Sequence, residues 1–314
     1  MLSPNRWPSE RKPTLHDSQA RVTFTWWPQP NPGVRYVRCE LPAQALGGKV
    51  LDFTVERHRP DTFVDQEGIG VWQLPANKLR VFGMLESQKR FGKAAVEFDD
   101  DYTEWDARYA STGWMEGVPD DSGTDSVVLV RLATLKADTV IVSTPHLKSV
   151  YEQINPNVHV CRNGVNPSDW PDPPKRDSTF RVVFAGAPNI NDLLLIRKAM
   201  EWAAAQPGVE AIVVGSDPKW RGVQTIPWIE GLQHFRDTMM ALRPDVGLRP
   251  LETTRYAKGK SDLKILEYAM AGAMSIVTPW QPYMEWREGP VRFASSPKDW
   301  LNEVKWAVQH QDSV

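Results

Sequence analysis

Short apolar runs alternate with helix-period runs along almost the whole 314-residue chain, and no other feature restricts the fold as much. Strand-like runs stand at 22–26, 50–55, 69–72, 94–98, 139–142 and 158–161, with helical periodicity at 36–46, 77–90, 126–136 and 145–153. The tract 166–179, carrying Pro167, Pro171, Pro173 and Pro174, interrupts the pattern and reads as a linker. The alternation then resumes, with strands expected at 181–185, 211–214, 223–226, 246–248 and 274–277. Helices are expected at 191–205, 232–242, 261–271 and 297–309. Strands alternating with helices of this length build βαβ units and a parallel sheet. The expectation is an α/β chain of two doubly wound domains. Ligands bind outside the carboxyl ends of such strands, so two facing sheets place a cleft between them.

Composition narrows the function classes. Net charge is −2, which disfavours a globally basic nucleic-acid binder. Charge is uneven locally: residues 1–60 hold nine Lys/Arg against five Asp/Glu, whereas 97–125 hold one Arg against ten acids. Cys39 and Cys161 are too few for a disulfide framework or a zinc site, which fits a reducing cytoplasm. No apolar leader opens the sequence, and no run is long enough to span a membrane.

The segment 258–272, KGKSDLKILEYAMAG, carries the most chemistry. Read as one helix, it puts Glu267 roughly 40° from Leu263, inside a stripe formed with Leu266 and Met270. A carboxylate on a buried face needs a partner. Lys260 falls on the same side near the helix start, where an anion would be bound by free N–H groups and the lysine together. A pyrophosphate at Lys260 and a ribose diol at Glu267 fit that spacing. The competing reading is a surface helix whose Glu267 pairs with Lys264.

Here the sequence resembles GT-B-fold glycosyltransferases, in particular family-4-like enzymes and compact phage or bacterial relatives. The resemblance is carried by 245–272, DVGLRPLETTRYAKGKSDLKILEYAMAG, by 137–165, which ends in Asn-Gly-Val, and by 34–48, with its Tyr-Arg pair. It implies a GT-B fold, with an acceptor-side domain at 1–165 and a nucleotide-sugar domain at 166–296. The helix 297–314 would cross back onto the first domain. It also implies donor binding through Lys260, Ser261 and Glu267. Many retaining members carry a second glutamate where Gly259 stands here, eight residues before Glu267. The resemblance implies no metal and no cofactor beyond a UDP- or GDP-linked sugar as co-substrate.

Other candidates surround this segment. Asp99, Asp100 and Asp101 follow a strand, where carboxylates point into the cleft. Mutual repulsion raises the proton affinity of one, as a general base requires, whereas a solvated acidic loop is the plainer alternative. Gly186 allows close approach of the backbone to a phosphate, and Arg249 reaches towards the diphosphate. Asn31 and Gly33 hold the equivalent place in the first domain, and His58 and His146 are weaker candidates. The acceptor is open among a hydroxymethylated pyrimidine in phage DNA, a polysaccharide or protein, and a lipid-linked glycan. For DNA, Trp26 and Trp27 would stack on a flipped base, and Arg6, Arg11, Lys12, Arg35, Arg38, Arg57 and Arg59 would meet phosphates. Trp105 and Trp114 fall on the same side. A two-domain nucleotide-sugar-binding module without catalysis is the non-enzyme alternative.

Overall fold

Strands and helices alternate in a computed structural model that describes residues 22–29, 31–51, 66–103, 126–186 and 190–313. The first sheet contains β1 (Phe24–Trp27), β2 (Lys49–Val50), β3 (Ile69–Gln73), β4 (Ala94–Phe98), β5 (Thr139–Val142) and β6 (Val158–Val160). Its order is β2-β1-β3-β4-β5-β6, and every pairing is parallel. After β1, helix α1 (Pro32–Arg35) runs through a π-helical turn (Tyr36–Glu40) into α2 (Leu41–Leu46). The remaining helices of this half are α3 (Lys78–Phe91), α4 (Ser126–Lys136) and α5 (Pro145–Tyr151).

The second sheet contains β7 (Phe180–Ala185), β8 (Val209–Val214), β9 (Gln224–Ile226), β10 (Val246–Arg249), β11 (Met274–Val277) and β12 (Val291–Phe293). Its order is β12-β11-β10-β7-β8-β9, again wholly parallel. That is the Rossmann order, and it reverses between β7 and β10. The helices are α6 (Ile190–Ala204), α7 (Leu232–Leu242), α8 (Arg255–Lys258), α9 (Leu263–Met270) and α10 (Pro297–Gln309). Strand β12 has no counterpart in the sequence reading because three residues carry too little alternation to signal a strand.

Interior strands of each sheet are covered on both faces, so they are buried along nearly their whole length. Trp26 and Trp27 on the interior strand β1 are accordingly core residues, 4% and 1% exposed. Trp27 stacks on Trp72 with ring centroids 4.9 Å apart, and its Nε1 donates to Gln66. Neither tryptophan offers a face to an acceptor, which corrects the expectation that they would. Helix α10 is corrected as well. Its buried residues Trp300, Val304 and Ala307 join the core built on α6 and the second sheet, so it packs within its own domain.

A glycine makes room in the second sheet for a helix packed on it. A Cβ on Gly247 of β10 would stand 2.2 Å from the Tyr268 ring. Tyr268 lies flat there because its hydroxyl ties three elements together: it donates to Leu248 O at 3.0 Å and accepts from Ala185 N at 3.0 Å. This bond places α9 against the ends of β7 and β10. Gly247→Ala should therefore cost about 1–3 kcal/mol through overpacking. Urea unfolding of the variant measures it, and a stability equal to wild type would contradict the contact.

Candidate active site

The carboxyl end of β4 runs into Asp99, Asp100 and Asp101, which are 9%, 3% and 2% exposed. They are not a solvated loop. Asp101 Oδ1 accepts from Thr103 N at 3.0 Å and Thr103 Oγ1 at 2.6 Å, and its Oδ2 accepts from Arg255 Nε at 2.9 Å. Asp100 Oδ2 accepts from Lys260 Nζ at 2.6 Å and from the Tyr256 hydroxyl at 2.8 Å. Arg255, Tyr256 and Lys260 belong to the second half of the chain, so these bonds close a seam between the two sheets.

Asp99 differs from its neighbours. Its carboxylate accepts from the Tyr102 hydroxyl at 2.9 Å. Burial first, then the charges of Asp100 and Glu97, push its pKa up from 3.8 to about 7. The repulsion expected within the triplet thus acts on Asp99, where the charge of Lys260 offsets it only in part. A carboxyl of this affinity is matched to proton transfer near neutral pH.

The cationic side of the seam departs from a single helix. The stretch 258–272 is broken: α8 ends at Lys258, residues 259–262 are non-helical, and α9 starts at Leu263. Gly259, Ser261 and Asp262 favour a turn over helix, which outweighs the helical periodicity here. Lys260 consequently lies in the connection, not on the helix. The core face of α9 is Ile265 and Tyr268, not the expected Leu263–Leu266–Met270 stripe. Glu267 is nevertheless buried, 8% exposed, and its Oε2 accepts from Lys264 Nζ at 2.5 Å. Glu267 is thus enclosed, which excludes a surface helix, and it is paired with Lys264 as that reading expected. Asp262 precedes the helix without capping it; its carboxylate accepts from Trp286 Nε1 at 3.0 Å.

The glycine turn after β7 meets this helix. Gly186 has φ +149°, and a Cβ there would lie 3.7 Å from Lys264 Cε. Gly215, which the sequence reading did not select, holds the turn closed: its φ is +104°, and a Cβ would strike Gly186 O at 2.4 Å. Arg249 ends β10, the other strand at the point of reversal. Its Nε is enclosed without an acceptor among the described residues, beside Asp192 and Tyr283. Gly186, Arg249, Lys264 and Glu267 thus assemble where a doubly wound sheet receives its ligand.

Ser261 is tied to the first half. Its hydroxyl accepts from Asn163 Nδ2 at 2.6 Å, and Asn163 Oδ1 accepts from Arg38 at 2.8 Å. Arg38 in turn pairs with Glu97 at 2.6 Å, both nearly inaccessible. Burial raises the Glu97 carboxyl above its usual value, and Arg38 pulls it back. Arg38 is thus an interior structural charge, not a phosphate contact, and Arg35 pairs with Glu40 at 2.8 Å. Gly259 is packed where a Cβ would lie 2.9 Å from Leu147 and 3.4 Å from Asp101 N. A side chain there would press on Leu147 of the first domain.

The remaining candidates fall less centrally. Asn31 Oδ1 caps α1, accepting from Gly33 N at 3.1 Å and Val34 N at 3.2 Å. Gly33 makes no close approach. His146 lies on the seam, its affinity for a proton lowered by burial despite the nearby Asp101. Arg6, Arg11, Lys12, Arg57, His58, Arg59, Trp105 and Trp114 lie outside the described residues. Among the described residues no cluster of His, Cys, Asp or Glu is placed to hold a metal ion, and no helix is long and apolar enough to cross a membrane.

The sequence matches no protein-family model and no curated protein. Among solved structures, the chain is similar to HepE of Anabaena in complex with UDP-glucose, at 10% identity over 93% of this chain and 91% of that one, with a TM-score of 0.60. It is similar to a glycosyltransferase from Rickettsia africae, at 9% identity over 93% and 89%, with a TM-score of 0.59. It is also similar to a UDP-N-acetylglucosamine 2-epimerase, at 11% identity over 93% and 89%, with a TM-score of 0.52. At these identities the likeness is one of fold: two Rossmann-like domains in the GT-B arrangement.

The environment of Asp99 has a measurable consequence. A carboxyl raised to about 7 when folded, against 3.8 as its ordinary value, holds a proton that the unfolded chain has lost. Stability attributable to it is therefore fully present below pH 4 and falls as pH rises to 7. Asp99→Asn keeps an acceptor for Tyr102 and removes that dependence. The variant should gain thermal stability over wild type progressively between pH 4 and pH 8. A difference constant across that range would disprove the assignment.

Proposed function

We propose that this chain transfers a sugar from a nucleotide-diphosphate sugar to an acceptor hydroxyl. The carrying observation is the convergence of Gly186, Lys264 and the buried Glu267 at the reversal point of the second sheet, with the acids of β4 across the seam. Glu267 would hold the ribose diol, with Lys264 setting its orientation. Lys260, Arg249 and the start of α9 would receive the diphosphate and stabilise its charge as it leaves. Asp99 would deprotonate or orient the acceptor hydroxyl, and closure of the domains would keep water from the donor.

HepE and the Rickettsia protein support this reading, since one is described with UDP-glucose and the other as a glycosyltransferase. A UDP- or GDP-linked hexose or pentose is the donor class we propose, with no resident cofactor or metal. Two free cysteines suit a cytoplasmic site of action, where such donors are used. The phage DNA base keeps no support among the described residues: Trp26 and Trp27 are buried, and Arg35 and Arg38 are paired. We propose a hydroxyl of a polysaccharide, a protein or a lipid-linked glycan as the acceptor instead.

The second reading is a GT-B enzyme that acts on the nucleotide sugar without an acceptor, favoured by the epimerase likeness and by a general base beside the cleft. Incubating the protein with UDP-, GDP- and ADP-sugars and following release of free nucleotide tests both. Release with sugar transferred or hydrolysed supports transfer, and an epimerised nucleotide sugar supports the second reading. Neither turnover nor binding of any donor would disprove both. Glu267→Ala should weaken binding of the active donor by about tenfold or more, as loss of charge-assisted hydrogen bonds implies. Unchanged affinity would remove Glu267 from the ribose.

A further inference from the structure

The cation assigned to the donor diphosphate already holds an anion. Lys260 Nζ donates to Asp100 Oδ2 at 2.6 Å and to the Tyr256 hydroxyl at 3.1 Å, and that hydroxyl donates to the same Asp100 oxygen at 2.8 Å. The ammonium also stands 4.4 Å from the centroid of the Tyr256 ring. Side chains of Asp100 and Lys260 are 4% and 21% exposed, so water and salt screen them little. A phosphate oxygen arriving at Lys260 would meet a buried carboxylate of like charge on the same ammonium. Two anions confined around one cation away from water repel strongly.

We propose that Asp100 is a built-in stand-in for the donor phosphate, and that donor binding displaces it from Lys260. The inference rests on the donor reading above, which brings the diphosphate to Lys260. Tyr256 is the positioning residue of the exchange: its ring holds the ammonium in place while its hydroxyl ties it to Asp100. Asp100 belongs to the first half and Lys260 to the second, so the exchange releases one interdomain tie and leaves others, Arg255 to Asp101 and Asn163 to Ser261 among them, in place. Occupation of the donor site is thereby coupled to the arrangement of the two domains. Coupling of this kind is reciprocal, so whatever frees Lys260 from Asp100 must tighten anion binding.

Calorimetric titration of the full-length chain with pyrophosphate, UDP and GDP tests this on wild type, Asp100→Asn and Asp101→Asn. Asp100→Asn should bind pyrophosphate more tightly by on the order of tenfold, the scale of one charge-assisted hydrogen bond. Asp101→Asn, which removes the Arg255 tie but leaves Lys260 held by Asp100, should gain clearly less affinity than Asp100→Asn does. Equal or weaker binding by folded Asp100→Asn overturns the stand-in role while wild-type binding of UDP or GDP leaves the donor reading standing. Binding of none of the three by wild type or Asp100→Asn overturns both. Hydrogen exchange of the wild type serves if Asp100→Asn does not fold. Saturating pyrophosphate should slow exchange over 260–264 and speed it over 99–103, and slower exchange in both segments overturns the proposal.

Discussion

Opposite charges at the edges of two sheets govern this molecule. Carboxylates at the end of β4 are taken from water by the fold, and cations on a short connection of the other half meet them. A buried carboxylate without a partner is expensive, so the folded arrangement of each half is incomplete without the other. The same charges occupy the place where a doubly wound sheet receives its ligand.

The second sheet shows how the site is held. Tyr268 ties α9 to the ends of β7 and β10, and Gly247 leaves the space its ring needs. Gly215 closes on Gly186, which brings that turn against Lys264. From the first half, Glu97 holds Arg38, Arg38 holds Asn163, and Asn163 holds Ser261 next to Lys260. Gly186 and Ser261 are thus placed by partners remote in sequence, and buried polar chains such as the one ending at Ser261 position side chains more strictly than apolar contact does.

Much of this was legible before any coordinates. The parallel α/β architecture follows from the alternation of runs, because a strand covered on both faces is apolar along its whole length. Glu267 stood out as an acid within an apolar segment, and it is enclosed. The route was imperfect, since the helix is shorter than its periodicity implied and turns Ile265 and Tyr268 inward. Trp26 and Trp27 misled for the opposite reason: an aromatic pair near a strand end has the same sequence appearance in a core as at a binding face. Tyr256 carried one usable signal, four residues before Lys260, a spacing that brings side chains together on a helical turn.

Local sequence determined the elements, the fold class and the residue types available for chemistry, since these depend on periodicity and on what each side chain can donate or accept. Tertiary structure alone decided which charges meet. It joined Lys260 to Asp100 across 160 positions and Arg255 to Asp101 across 154. It pressed Gly259 against Leu147, and it left Asp99 with a raised proton affinity. The reason is physical: Coulomb energy and desolvation depend on distance and burial, which chain order does not encode.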